Sequence, residues 1–350
     1  MSDQATFGGA GAVREGHQFD VEALARWMGG AIADFTGPLV VEQFKGGQSN
    51  PTYKLITPAR AYVLRRKPNG PLLKGAHAIE REAQVIGALG PTGFPVPRLY
   101  GLCEDPNVIG SPFYVMSMVE GRNFWDASFQ DVPKAERAAY FDAMNAGLAA
   151  LHSVDVDAVG LGGFGRREGY CERQIALWTR QYLADPEAGR DPHMDRLIEW
   201  LPAHLPTSQA ACLVHGDFRC DNMIFDPREA RIAAVLDWEL STLGDPLADF
   251  AHHAMMYRMP PDIVAGLAGA SPAALGLPDE ADYIAAYCAR TGRASLPDYP
   301  FYLAFAFFRL AAIMHGIKGR LIRGTAASAH AERRANSVLA LAALAWRQVG

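Results

Sequence analysis

Alternating apolar and polar positions predict short strands in the first third of the chain. The runs lie at 39–44, 52–56, 61–65, 98–103 and 112–119. Apolar residues at helical spacing predict one helix over 20–32, with Asp20 as its N-cap, and a second over 77–89 that ends before Gly90. Since glycine and proline turns separate the first three strands, this part of the chain is predicted to be an antiparallel meander with an inserted helix.

Helical spacing dominates after Gly121. Long amphipathic patterns at 133–152, 172–183 and 194–204 predict helices, two short apolar runs at 211–214 and 232–236 predict strands, and the pattern from Pro246 onward is again mostly helical. We therefore predict an α+β fold with a disordered lead (1–18), a small antiparallel β lobe with one helix that binds nucleotide (19–120), and a larger, mainly helical lobe (121–350).

Composition and charge narrow the classes of function. The 350 residues include 33 Lys and Arg against 38 Asp and Glu, a net charge of −5 that offers no general attraction for nucleic acid. The apolar runs are shorter than the roughly 18 residues that a membrane span needs. Five cysteines without a CxxC pair predict a protein of a reducing compartment, the cytoplasm, without a disulfide framework.

The most informative segment is LVHGDFRCDNMIFD at 213–226, with AAVLDWE following at 233–239. Each pairs a short apolar strand with polar residues at its exit. Phosphoryl transfer needs a carboxylate that orients and deprotonates an acceptor hydroxyl, and Asp217 suits this task. Asn222 and Asp237 carry the hard oxygen ligands that Mg²⁺ prefers. Arg219 is predicted to contact the transferred γ-phosphoryl group.

These motifs resemble the aminoglycoside phosphotransferase and choline kinase superfamily, which has a bilobal, protein-kinase-like fold, over about residues 25–345. The matching segments are, in order, GGQSNPTYKL, VLRRKP, AHAIEREAQVIGAL, PFYVMSMVEG, HGDFRCDN and LDWELSTLGDPLADFA. In detail the chain is similar to the kinase-like domain fused to some acyl-CoA dehydrogenases. The resemblance implies ATP and Mg²⁺ as cofactors, Asp217 as catalytic base, Asn222 and Asp237 as Mg²⁺ ligands, and Arg219 in place of the catalytic-loop Lys.

Further residues are predicted to contact the nucleotide. Strand alternation directs Val63 and Arg65 to one side, so Arg65 takes the role of the kinase strand Lys, and Lys67 comes next on the same face. Glu82 is the predicted partner of Arg65, with Glu80 as competitor. The remaining candidates are the turn Gly46, Gly47, Gln48, Ser49 and Asn50, and the hinge positions Met116 and Met118 within 116–119.

Several neighbouring residues are assigned structural roles. His215 is predicted to brace the loop by hydrogen bonding, Cys220 to be a small packed residue, and His252 and His253 to be core or surface residues. Asp249 resembles an aspartate of the family that holds the catalytic loop in place.

The acceptor is predicted to be a small molecule with a hydroxyl group. Residues 301–350 carry seven basic residues and one acidic residue, and they begin with FYLAFAFF. An aromatic and basic surface favours an anionic or acyl-bearing acceptor such as a hydroxyacyl-CoA, while the other interpretation makes the aromatics helix core and the arginines a solvated face. A nucleotide-binding pseudokinase scaffold, an aminoglycoside or amino-alcohol kinase, and a metal-dependent hydrolase are the alternatives, and a homodimer is left open.

Overall fold

The computed structural model describes residues 9–45, 50–68, 78–207, 210–264, 266–324 and 329–350. The chain is divided into two compact units. Unit 1 consists of Met1–Trp125, Val159–Leu161 and Cys220–Ser241. Unit 2 consists of Asp126–Ala158, Gly162–Arg219 and Thr242–Gly350. The loop with the HGDFRCDN motif thus begins in unit 2 and ends in unit 1.

Unit 1 is built on an antiparallel sheet. Its elements are β1 (Ala10–Gly11), α1 (Val21–Ala31), β2 (Val40–Phe44), β3 (Thr52–Ile56), β4 (Ala61–Arg66), α2 (Ile79–Leu89), β5 (Leu99–Cys103), β6 (Phe113–Ser117), β8 (Met223–Phe225) and β9 (Ile232–Val235). Six strands form the sheet in the order β1-β2-β3-β4-β6-β5, and β8 pairs with β9 in a separate hairpin. Asp20 caps α1 as expected, because its side chain accepts a hydrogen bond from the Ala23 amide.

The two faces of strand β4 pack against different parts of unit 1. Tyr62 and Leu64 point into a core that α1 closes with residues such as Leu24 and Met28. Val63, between them, and Arg65, directly after Leu64, point to the opposite face, because successive side chains of a strand alternate. Helix α2 packs against β5 and β6 and carries the partner of Arg65. Both faces of β4 are therefore covered, and its burial is nearly continuous.

Two features of unit 1 differ from the sequence-based expectation. Part of the predicted disordered lead is ordered: Ala10–Gly11 pairs with the end of β2, and the Arg14 amide donates to the Gln43 side chain. A two-residue strand carries too little pattern to be found from sequence. Residues Cys220–Ser241, predicted within the helical lobe, belong to unit 1, where Arg122 and Phe225 form a β-bridge.

Unit 2 is mainly helical. Its elements are α3 (Arg137–His152), α4 (Tyr170–Leu183), α5 (Pro192–Ala203), β7 (Cys212–Val214), β10 (Thr242–Gly244), α6 (Pro246–Ala254), α7 (Pro261–Val264), α8 (Pro272–Leu275), α9 (Glu280–Thr291), α10 (Tyr299–Ile322), α11 (Ala329–Asn336) and α12 (Val338–Trp346). Strands β7 and β10 pair antiparallel, with Thr242 opposite Val214. This pairing places the start of α6 beside the start of the HGD loop.

Helix α10 is the centre of unit 2 and packs against α4, α6, α11 and α12. It is long and apolar enough to cross a membrane by length and composition, but 78% of its most apolar window is buried inside the structure, as in the core helix of a globular protein. The aromatic side chains of 301–308 are buried in this core. The predicted aromatic surface is therefore not formed by them, and the helix-core interpretation is correct for the aromatics. Arg309, which the same interpretation placed on a solvated face, is buried instead.

Candidate active site

A cavity of about 290 Å³ in unit 1 brings together residues that are far apart in the sequence. Six residues predicted to contact nucleotide or metal line it: Val63, Arg65, Met116, Met118, Asn222 and Asp237. Most of the remaining lining is apolar and includes Phe44, Ile86 and Leu236. An apolar cavity with a few polar groups at one part of its wall is typical of small-molecule and cofactor sites.

Arg65 connects the strand to the two acidic segments of this cavity. Its Nε lies 3.4 Å from Glu82 Oε2, and its Nη2 lies 2.9 Å from Asp237 Oδ1 and 3.7 Å from Glu239 Oε2. Burial by itself lowers the pKa of Arg65, but these carboxylates raise the pKa above its usual value. The guanidinium therefore stays charged and bridges α2 to the LDWE segment, as a planar group with several donors can.

Glu82 is fully buried, and its two oxygens have separate partners besides Arg65. Oε1 accepts a hydrogen bond from Asn50 Nδ2 at 3.2 Å, and Oε2 accepts one from Tyr114 Oη at 3.2 Å. Burial raises the pKa of the Glu82 carboxyl to about 7, while Arg65 opposes this rise. Glu80, the competing candidate, pairs with Lys67 instead. Asn50, predicted to contact nucleotide, thus supports the Arg65–Glu82 pair.

The other four residues of the predicted glycine turn, Gly46, Gly47, Gln48 and Ser49, lie outside the described residues. Their proposed contact with phosphate stays a prediction.

Asp237 and Asn222 reach the cavity from unusual backbone segments. Asp237 has φ 64° and ψ 63°, in the left-handed region that side-chain-bearing residues seldom adopt and that aspartate tolerates better than most. Asn222 ends a 3₁₀ turn, and Asn123 holds its neighbours by donating to the Asp221 and Met223 carbonyls at 2.8 and 2.9 Å. Asn222 and Asp237 both line the cavity, and since Mg²⁺ prefers amide and carboxylate oxygens of this kind, these two residues would hold the ion.

The HGD part of the loop is held within unit 2 by α6. The Asp249 carboxylate accepts hydrogen bonds from the backbone amides of His215 and Gly216, both at 2.8 Å, and contacts His152 Nε2 at 3.2 Å. His215 in turn accepts a hydrogen bond at Nδ1 from the Asp217 amide at 3.2 Å. Asp249 therefore ties the loop to α6, and His215 braces the turn that presents Asp217.

Asp217 has a second supporting residue, His252, that the sequence pattern did not predict. His252 Nε2 lies 3.1 Å from Asp217 Oδ1, and Arg219 Nε lies 4.0 Å from the same oxygen. The packing around Asp217 by itself raises its pKa, but the hydrogen bond from His252 and the charge of Arg219 hold the pKa well below its usual range. His252 and His253 were predicted as core or surface residues without a role. Both are buried, and the i, i+3, i+4 spacing from Asp249 was the signal that could have linked them to the loop.

The fold and these residues are those of a kinase-like phosphotransferase. Such proteins combine an antiparallel sheet that carries a buried ion pair between a basic residue and a glutamate, a loop that carries an aspartate, and an Asn and an Asp with oxygens suited to a metal ion. Comparison with known proteins supports the same class. The chain belongs to the phosphotransferase enzyme family, whose family model matches residues 40–305.

Two relatives with names indicate which members of the family this chain resembles. The chain is 44% identical over 337 residues to acyl-CoA dehydrogenase family member 10 of Mus musculus and 43% identical over 333 residues to member 11 of Rattus norvegicus. These matches cover 95% and 93% of this chain but only 31% and 43% of the relatives, so the chain spans less than half of their length.

Solved structures confirm the predicted α+β kinase-like fold. A Ralstonia eutropha JMP134 protein provisionally named as an aminoglycoside phosphotransferase is 48% identical, with a TM-score of 0.86 and coverage of 95% of this chain and 98% of that one. Choline kinase of Cryptosporidium parvum has a TM-score of 0.63 at 12% identity, covering 92% and 95% of the two chains, a likeness of fold alone.

Proposed function

We propose that this protein is a kinase that transfers the γ-phosphoryl group of ATP to a hydroxyl of a small acceptor of the acyl or acyl-CoA class. The observation that carries the nucleotide part is the cavity of unit 1. Six residues chosen for phosphate, adenine or metal contact on sequence grounds line this one cavity. A scattered arrangement, with Asn222 and Asp237 in different regions, would have removed the basis for the proposal.

The chemistry assigned to the chain follows from these positions. The apolar wall with Val63, Met116 and Met118 receives the base, and Arg65 receives phosphate oxygens, since it is always charged and can bind them in a bidentate manner. Asn222 and Asp237 would hold Mg²⁺, which when bound neutralises charge on the phosphates.

Asp217 accepts the proton of the acceptor hydroxyl as the new O–P bond forms and the bond from the γ-phosphorus to the leaving ADP oxygen breaks. The proton then passes from Asp217 to solvent. Because the carboxylate is held ionised, it is ready to accept this proton at neutral pH, and its main contribution is to orient the hydroxyl. Arg219, whose Nε lies 4.0 Å from Asp217 Oδ1, would stabilise charge on the transferred group.

The acyl character of the acceptor is supported by the relatives, which are named as acyl-CoA dehydrogenase family members and of which the match covers less than half. A kinase domain joined to an enzyme of acyl thioesters is expected to act on a related compound. The basic character of 301–350 points the same way, although its aromatic residues are core.

Nucleotide binding is tested first by thermal shift with Mg²⁺-ATP. We expect stabilisation of the wild type that depends on Mg²⁺, and its loss in Asp237→Ala, because that variant removes one of two protein oxygens for the metal. The exposed Asp262→Ala is the matched control. Retained Mg²⁺-dependent binding in Asp237→Ala would move the metal site elsewhere.

Catalysis is tested by ATP consumption with hydroxyacyl-CoAs, hydroxy acids, sugars, amino alcohols and aminoglycosides. We expect turnover with an acyl acceptor, and a loss of at least about 10² in turnover but not in nucleotide binding for Asp217→Asn. Nucleotide binding without turnover on any acceptor would favour the pseudokinase alternative. Unchanged turnover in Asp217→Asn would remove Asp217 as base.

A further inference from the structure

Helix α6 contacts four consecutive residues of the HGD loop, from His215 to Phe218. Asp249 binds the first two amides, His252 contacts Asp217, and His253 Nδ1 contacts the Phe218 carbonyl oxygen at 2.8 Å. Residues at i, i+3 and i+4 lie on neighbouring parts of one helix surface, so a single helix face supports the loop. Of these contacts only that of His252 reaches a side chain with a proposed chemical role.

The protonation states of the two histidines follow from their partners. The Phe218 carbonyl can only accept, so His253 donates from Nδ1, and its Nε2 accepts from Tyr283 Oη at 2.6 Å. An ionised carboxylate also only accepts, so His252 donates to Asp217 from Nε2. His252 Nδ1 is buried and has no hydrogen-bond partner within the described part of the chain.

A neutral His252 is the form that this environment favours. Protonation of Nδ1 would bury an N–H group without an acceptor, which is costly. The charged groups around His252 are Asp217 on the loop, Asp249 on its own helix and Arg309 on α10, and the neighbouring His253 is titratable as well. Burial, followed by the Arg309 charge, lowers the pKa of His252 against the effect of the two carboxylates.

We infer that His252 is a positioning residue for Asp217: as a neutral imidazole it donates one hydrogen bond to Oδ1, which fixes the orientation of the carboxylate and keeps it ionised. This inference rests on the proposed function, in which Asp217 is the base. The Asp217 side chain remains 34% exposed, so a bond to one oxygen leaves the group accessible to an acceptor. A misplacement of about 1 Å in such a group can cost about 10² in rate.

The direct test observes the carboxyl carbon of Asp217 by NMR in ¹³C-aspartate-labelled protein, assigned with Asp217→Asn. In the wild type we expect a constant ionised signal from pH 8 to pH 5. In His252→Leu the donor is lost while much of the volume is kept, and we expect the signal to titrate within this range. His252→Gln, which keeps an N–H donor, should restore the wild-type signal, and the exposed His204→Leu should not alter it. An ionised, unshifted Asp217 in His252→Leu would overturn the inference.

A second measurement does not depend on the Leu variant folding. ¹⁵N spectra of histidine-labelled wild type should show His252 protonated at Nε2 and unprotonated at Nδ1 from pH 5.5 to pH 8. An imidazolium or the opposite tautomer in that range would contradict the proposal.

Kinetics separate this inference from the proposed function. With the acceptor found in the screen, or with Mg²⁺-ATP hydrolysis if none is found, His252→Leu should lower kcat about 10- to 100-fold with little change in KM for ATP. The acid limb of its pH profile should move to higher pH, and His252→Gln should recover both. If Asp217→Asn is inactive while His252→Leu matches the wild type, the proposed function stands and the inference fails. If Asp217→Asn is fully active, the proposed function fails, whatever the NMR result for His252.

Discussion

Asp249 offers a test of the loop architecture that does not depend on the reaction. It is 2% exposed, and its carboxylate accepts hydrogen bonds from two backbone amides of the loop in addition to its contact with His152. Asp249→Ala would leave the amides of His215 and Gly216 buried without their acceptor, and each such group costs about 1–3 kcal/mol. We therefore expect Asp249→Ala to lower the free energy of unfolding by about 3–5 kcal/mol.

Asp249→Asn separates geometry from charge, because it keeps one acceptor oxygen and loses the ionised group. We expect about half of the loss seen in Asp249→Ala, measured by urea denaturation followed by circular dichroism. Asp262→Asn, an exposed change of the same chemistry, should stay within about 0.5 kcal/mol of the wild type. A loss below about 1 kcal/mol for Asp249→Ala would refute the view that this carboxylate holds the loop.

The pH dependence of this effect has a defined sign. Burial opposes ionisation of Asp249, but the hydrogen bond and charge of His152, with the contributions of His215, hold its pKa well below the usual range. A depressed pKa in the folded state stabilises the protein fully above the unfolded-state pKa of about 3.9, and the stabilisation is lost as the pH falls further. The difference between wild type and Asp249→Asn should be constant from pH 6 to pH 8 and shrink below about pH 4.

Two further changes test unit 1. Arg65→Met leaves Glu82 buried without its counter-ion, so we expect a loss of about 3–5 kcal/mol at pH 8. The loss should be smaller at pH 6. The pKa of Glu82 is raised to about 7 even beside Arg65, so the carboxyl can protonate at pH 6 and then needs no counter-ion. Equal losses in the free energy of unfolding at the two pH values, measured by denaturation, would contradict this reasoning. Gly121→Ala would place its Cβ 2.2 Å from the Phe225 carbonyl oxygen, where the Arg122–Phe225 bridge prevents the backbone from moving away. We expect a destabilisation of about 1–3 kcal/mol. A variant with wild-type stability would show that the backbone at the Arg122–Phe225 bridge can move away from the new methyl group at little cost.

Much of unit 1 could be predicted because its signals are local. The alternation of β4 placed Val63 and Arg65 on one side, and both line the cavity. The helical period of α2 offered only Glu80 and Glu82 as partners, and the structure has the ion pair between Arg65 and Glu82. The Asp20 cap followed from the order of one polar residue and a helical apolar pattern. Each of these inferences needed no more than one or two adjacent elements.

By itself, then, the sequence determined the α+β class, the main helices and strands, and six of the side chains that line the cavity of unit 1. Only the tertiary structure decided that residues 220–241 join unit 1, that the aromatics of α10 form core, and that His252 meets Asp217. Periodicity reports which face of an element is buried but not what covers it. A contact such as that of His252 with Asp217, 35 residues away, depends on how β10 sets the start of α6 beside β7, and strand pairing of this kind is chosen by the packing of the whole unit.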